Sequence, residues 1–385
     1  MRIVWGCLLC AVSVLAQPRY SVDWQKLEPE ILDQFTGLLK IDSTNPPGNE
    51  TKVVKAVEAA LEKAGIPSRV LALDPNRANL VARIKGSGRK RPILIMGHTD
   101  VVGVQAEKWT VPPFSALRKN GYIYARGATD DKEHVIAGIV IMTLLHRLQV
   151  KLDRDIIFLA EAGEEGTSSV GIDFMVQQHW PEIECEYALA EGGSIVEDGG
   201  KVHHLLVTTT EKVPRGVRLT AHGPAGHGSR PITGNAIVHL ATAVARAGGW
   251  QTPIRLNETT RAYFEKLAAI SPAADAARFR ALLDPARAAE ADRYFRENDP
   301  STYSTLRTSV VPTMMNGGFR SNVIPSEATA YLDVRAVPDE DMEKFLNELR
   351  RVIGDSSVEV SLAIRAGRPV AAPSRLDTEM YRALE

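Results

Sequence analysis

Two glutamates, Glu164 and Glu165, stand side by side in the stretch IIFLAEAGEEG (156–166), directly after an apolar run and a glycine. Adjacent like charges repel, so such a pair is tolerated only where water solvates both or a cation lies against them. Groups of the same chemical type follow other apolar runs. The stretch ILIMGHTDVV ends in His98 and Asp100, which are two residues apart and so on one side of extended backbone. YARGATDDKEHV carries Asp130 and Asp131 between a glycine turn and a helix predicted to begin near Lys132, and YALAEGG carries Glu191. Each alone has an ordinary reading, as a hydrogen-bonded histidine or as acids capping a helix start. Together, several strand or turn ends deliver imidazole and carboxylate groups toward one sheet edge. Independent solvated acids would not need apolar strands leading to each of them, and a metal ion is one cation that could lie among such groups.

The elements that would position these groups form an α/β pattern. VVKAVEAALEKAG reads as a helix stopped by Gly65, followed by the strands SRVLAL, NLVARI and RPILIMGH. A helix over 135–148, the strand RDIIFLA, a helix near 170–178 and the strand EYALA come next. Near-continuous apolar strands separated by helices predict a mostly parallel sheet covered by helices, with ligands bound beyond the carboxyl ends of the strands. After Glu211 the strands alternate, as in GVRLTAHG and EATAYLDVRAV, with helices over 235–247 and 341–352. This predicts a smaller α+β domain inserted into the first. Its alanine-rich stretch AADAARFRALLDPARAAEADRYF reads as solvated helices decorating the insert.

With these motifs in order, the sequence resembles the co-catalytic zinc peptidases and deacylases that include aminoacylase, glutamate carboxypeptidase, carboxypeptidase S and succinyl-diaminopimelate desuccinylase. The resemblance runs from about Asp42 onward. It implies that His98 in GHTDVV is a zinc ligand oriented by Asp100, and that Asp130 in RGATDDK bridges two zinc ions. It further implies that Glu164 is the general base, Glu165 a ligand of one zinc and Glu191 in AEGG a ligand of the other. Two zinc ions about 3.5–4 Å apart can activate a water and polarise a carbonyl together. The paired glutamates then have a reason, since one is held on metal while its neighbour is free to take a proton.

In the insert, GPAGHGSRP places His227 in a glycine-rich turn, where the family has a histidine that polarises the substrate carbonyl, often across a dimer. GGFRSNVIP and LDVRAVP add Asn322 and Arg335, which match the family's substrate-binding pair; Arg335 suits a substrate carboxylate because guanidinium offers two parallel donors. The chain also departs from the pattern. Glu133 and His134 stand where many members have two glycines, and no histidine follows His239, although the family's last zinc ligand is a histidine near its C-terminus. The resemblance therefore implies two zinc ions per complete site but one held by this chain.

The expected organisation is a signal segment over 1–16, a first catalytic segment over 17–211, an inserted lid or dimerisation domain over 212–366, and the start of a returning catalytic segment over 367–385. Arg2, the apolar stretch 3–15 and Ala16 before Gln17 form the signal pattern and predict export to a periplasmic or extracellular location. Cleavage would leave Cys185 alone, in an acidic setting that suits packing better than nucleophilic chemistry. A net charge of −1 without a basic stripe argues against nucleic acid as a partner, and no second apolar run predicts a membrane span. A short peptide or N-acyl amino acid with a free carboxylate is the expected substrate. The rival readings are a noncatalytic binding protein that keeps the fold, and a related zinc aminopeptidase, against which the insert carrying His227 speaks.

Overall fold

The computed structural model describes residues 20–363 and 371–385. The signal segment and the boundary at 366 lie outside them. Among the described residues no helix is long and apolar enough to cross a membrane. The chain divides into two compact units, one up to Gly192 and the other from Gly193 on.

The first unit contains α1 (Trp24–Leu39), α2 (Glu50–Lys63), β1 (Ser68–Ala72), β2 (Ala78–Ile84), β3 (Ile93–His98), the hairpin β4 (Leu117–Lys119) and β5 (Tyr122–Tyr124), α3 (Lys132–Arg147), β6 (Ile156–Glu161), α4 (Ile172–Gln178), α5 (Trp180–Ile183) and β7 (Tyr187–Leu189). Its main sheet has the order β1-β2-β6-β3-β7. Strand β6 is buried along its whole length. Its alternate residues explain why: Ile156, Phe158 and Ala160 join the core with α2 and α3, whereas Ile157 and Leu159 join Phe174, Met175 and Ile183 on the other face. The expected α/β class holds, and the sheet is mostly parallel as expected, with one strand reversed. β1, β6, β3 and β7 point the same way, and β2 alone runs antiparallel, to β1 on one side and to β6 on the other. The link 73–77 is too short for a crossover and can only turn the chain back.

The helix α3 seats closely on this sheet through Gly138, where an added Cβ would run into the Phe158 ring. Overpacking of this kind costs about 1–3 kcal/mol, against a helix-propensity gain of up to about 1 kcal/mol for alanine over glycine. Gly138→Ala is therefore expected to lower the urea midpoint of the first unit, and a raised midpoint would show that the ring moves aside freely.

The second unit contains the hairpin β8 (Ser194–Asp198) and β9 (Lys201–Leu206), then β10 (Val213–Pro214), β11 (Val217–His222), β12 (Gly226–His227), α6 (Ala236–Gly249), α7 (Glu258–Ile270), α8 (Ala273–Leu283), α9 (Ala288–Asn298), α10 (Pro300–Thr305), β13 (Ser309–Gly317), β14 (Val323–Ile324), β15 (Glu327–Ala336), α11 (Met342–Ile353) and β16 (Val358–Leu362). An antiparallel sheet runs β10-β15-β11-β16, with β13 also paired to β15. Val217, Leu219 and Ala221 alternate inward and meet Leu240 and Ala243 of α6 and Phe345 and Leu349 of α11. The alanine-rich stretch is more than a solvated decoration. It closes a separate core in which Phe264, Leu282, Phe295 and Leu306 are buried, with Phe279 stacked between Phe264 and Phe295.

Candidate metal centre

Parallel pairing sets the edge at which the polar residues collect. His98 closes β3 in register with Glu161 at the end of β6, and Glu191 follows β7 on the far side of β3. Asp130 precedes α3 and approaches from above that edge: its Oδ1 is 2.9 Å from His98 Nε2, and Glu191 Oε2 is 3.6 Å from the same nitrogen. His98 is buried, while the side chains of Asp130 and Glu191 are about half exposed, so the cluster opens to solvent on one side. Ligand atoms of these residues lie within 4.8 Å of one another.

The other ring nitrogen, Nδ1, is 3.0 Å from the Asp100 carbonyl and 3.3 Å from Asp100 Oδ1. Both are acceptors, so Nδ1 carries the proton and Nε2 is left to bind a metal. The Asp100 carboxylate is fully buried. It accepts from Asn45 Nδ2 at 2.8 Å and from the backbone N–H groups of Glu164 and Glu165 at 3.1 Å each. Burial opposes ionisation of Asp100, but the bonds from His98, Asn45 and Glu165 hold its pKa below the usual carboxylate range. One buried carboxylate thus orients the histidine and pins the paired glutamates. The pinned turn depends on Gly163, whose φ of +76° and close approach to the Thr167 carbonyl exclude a side chain.

The donor set fits a divalent cation. Buried oxygens of Glu161 and Glu165 have no hydrogen-bond partner. Burial, followed by the charges of neighbouring acids, raises the pKa of Glu165 and Glu191, and burial pushes Glu161 up to about 7. Burial opposes charging of His98, yet its hydrogen bond to Asp100 and the charges of Asp131, Asp100 and Glu164 push its pKa up to about 10. Carboxylates crowded round one imidazole are the electrostatic demand that a cation meets, and nitrogen and oxygen donors suit zinc.

Sequence reasoning left Asn45, Asp131 and Glu161 without a part in this centre. Asp131 Oδ2 accepts from the His98 N–H at 2.8 Å, and its Oδ1 meets His134 Nδ1. His134, one of the departures from the family pattern, therefore braces Asp131, and α3 continues undisturbed behind it. Asp131, Glu133 and His134 could also gather a cation, but they sit at the N-terminus of α3, where the helix dipole opposes positive charge. Lys132 is fully buried and donates to the carbonyls of Leu38 at 3.0 Å and Ile41 at 2.6 Å, which ties α3 to the end of α1. The visible signal for Glu161 was an acid closing an otherwise apolar strand. Cys185 is half-buried beside the Phe174 core, and burial raises its thiol pKa.

In the second unit, β12 and β14 pair His227 with Val323, and the Gly228 N–H donates to the Asn322 carbonyl at 2.8 Å. His227 Nδ1 accepts from the Ser229 N–H at 3.2 Å, which places the ring proton on the exposed Nε2. His227 and Asn322 are thus neighbours. Arg335 is not with them. It lies near the far end of β15 from Glu327, roughly 26 Å away at the usual rise per residue, where its Nε donates to Asp333 Oδ1 at 2.9 Å.

Comparison with known proteins agrees with the resemblance read from the motifs. The family model described as peptidase family M20/M25/M40 matches residues 94–385. The chain is 29% identical over 279 residues to the human N-fatty-acyl-amino acid synthase/hydrolase PM20D1, covering 70% of this chain and 54% of that protein. It is 27% identical over 350 residues to a probable succinyl-diaminopimelate desuccinylase of Staphylococcus aureus (strain Mu50 / ATCC 700699), covering 90% of this chain and 78% of that one. The fold matches that of the M20 family metallo-carboxypeptidase Sso-CP2 from Sulfolobus solfataricus, with a TM-score of 0.64 at 19% identity over 92% of this chain and 82% of the other. The chain spans about half the length of the vertebrate relatives it matches.

Proposed function

The chain belongs to peptidase family M20/M25/M40, and from that premise we propose that it acts as a zinc-dependent amidohydrolase on a short peptide or N-acyl amino acid with a free carboxylate. The observation that carries the reading is the convergence of His98, Asp130 and Glu191 beside a glutamate pair pinned by Asp100. His98, Asp130 and Glu191 would hold one zinc, and Asp130 and Glu165 a second. The chemistry such ions supply is polarisation of the scissile carbonyl and acidification of a water. Glu164 takes the proton of the attacking water and returns it to the leaving amine. Asp100 keeps the His98 ring in place, and His227 Nε2–H donates to the oxygen on which negative charge develops. The names of the human and staphylococcal relatives, an acyl-amino acid hydrolase and a probable desuccinylase, support an N-acyl amino acid as substrate.

A homodimer fits this reading. β13 is an edge strand with Val311, Met314 and Met315 exposed, and Ile237 and Val238 of the adjoining α6 are exposed as well. The place of Arg335 near the far end of β15 from Glu327 also supports a site completed by residues of two copies. Export is supported by the pattern of residues 1–16.

Metal content by elemental analysis, together with hydrolysis of a panel of N-acyl amino acids and dipeptides, tests the proposal. Bound zinc with hydrolysis of the panel supports it, and zinc without any hydrolysis would favour a noncatalytic binding role. Arg335→Lys is expected to weaken substrates with a free α-carboxylate by roughly tenfold or more in kcat/KM, because lysine cannot present paired donors. Amidated analogues should be little affected, and equal loss on both would mark Arg335 as the structural partner of Asp333.

A further inference from the structure

We propose that Asn45 is a positioning residue of the candidate metal centre, holding Asp100 and the Glu164–Glu165 turn in one arrangement. The inference rests on the zinc-hydrolase reading above. Asn45 is nearly fully buried, at 5% exposure, and both ends of its amide are used. Nδ2 donates to Asp100 Oδ2 at 2.8 Å, and Oδ1 accepts from Thr167 Oγ1 at 3.0 Å. Thr167 closes the glutamate turn, since its N–H donates to the Gly163 carbonyl at 2.8 Å. The amide therefore links the carboxylate that orients His98 to the loop that carries Glu164 and Glu165.

The backbone around Asn45 is set independently of that side chain. Its N–H donates to the Val101 carbonyl at 2.9 Å, and the Val101 N–H donates back to the Ser43 carbonyl at 3.2 Å. Ser43 Oγ donates to the Thr99 carbonyl at 2.7 Å. Segment 43–45 is thus laid along the residues on either side of Asp100, with Thr44 and Val101 in a parallel bridge. A side chain at position 45 must then donate to a carboxylate and accept from a hydroxyl within one short reach, which a carboxylate or a hydrocarbon of the same size cannot do. Without the amide, Asp100 keeps its bonds to the Glu164 and Glu165 N–H groups but loses its buried donor at Oδ2. The His98 ring and the glutamate turn are then held through Asp100 alone, without the second tie through Thr167.

The test uses the full chain, with zinc affinity measured by competition with a chromophoric chelator and turnover measured on an N-acyl amino acid. Asn45→Leu is expected to weaken zinc binding by about 10- to 100-fold and to lower kcat more than it raises KM. Thr167→Val should have a smaller effect in the same direction, and the double variant should be no worse than Asn45→Leu, because the loop bond is already lost. Ser43→Ala, which removes a neighbouring hydrogen bond of the same segment, should lower the melting temperature and leave zinc affinity unchanged. The inference is overturned if Asn45→Leu behaves like Ser43→Ala, with lower stability and unaltered zinc affinity. Should Asn45→Leu fail to fold, Thr167→Val decides, and unaltered zinc affinity there overturns the inference too. A parent chain that binds no zinc would instead remove the zinc-hydrolase reading, and this inference with it.

Discussion

Glu164→Gln is expected to lower turnover by about 100- to 10,000-fold, the usual contribution of a general base, while zinc content stays at the parent level. The backbone of Glu164 remains anchored to Asp100 Oδ1 whatever the side chain, and the substitution removes a proton acceptor without removing a proposed ligand. Elemental analysis beside steady-state kinetics separates the outcomes. Loss of metal would exchange the roles of Glu164 and Glu165, because only a ligand carries metal away with it. Activity near the parent level would remove Glu164 as the base.

Asp130→Ala should reduce turnover at least as far, by a different route. Its carboxylate stands 2.9 Å from His98 Nε2 and is the only one proposed to serve both ions, so zinc content as well as rate should fall. Stability of the zinc-free chain should change little, because the side chain is half exposed. Retained zinc and activity would reduce Asp130 to what its place before α3 offers by itself, an acid near a helix start.

The strands that carry His98, Glu164 and Glu191 were legible in the sequence because each is a continuous apolar run ending in a polar residue. A buried parallel strand has no polar face to disguise it. The reversal of β2 was less so: this strand carries the same apolar character as the parallel strands, and only the shortness of the link from β1 sets its direction. The core of α7 to α9 was hidden because alanines and charges surround Phe264, Phe279 and Phe295, so the stacked rings emerge only once the helices are folded against one another. Asn45 was invisible for another reason. Its partner Asp100 lies 55 residues along the chain and Thr167 lies 122 along it, and no local periodicity reports contacts of that range. Arg335 stands two residues from Asp333 on an alternating strand, so their pairing could have been anticipated from the period of two.

The proposed activity requires that His98, Asp130 and Glu191 hold a metal ion. Isothermal titration of the metal-stripped chain with zinc, beside the same titration of His98→Ala, tests this most directly. The expected result is one tight zinc site in the parent chain, with any second site weak, and loss of the tight site in the variant. Absence of tight binding in the parent, or equal binding by His98→Ala, would contradict it.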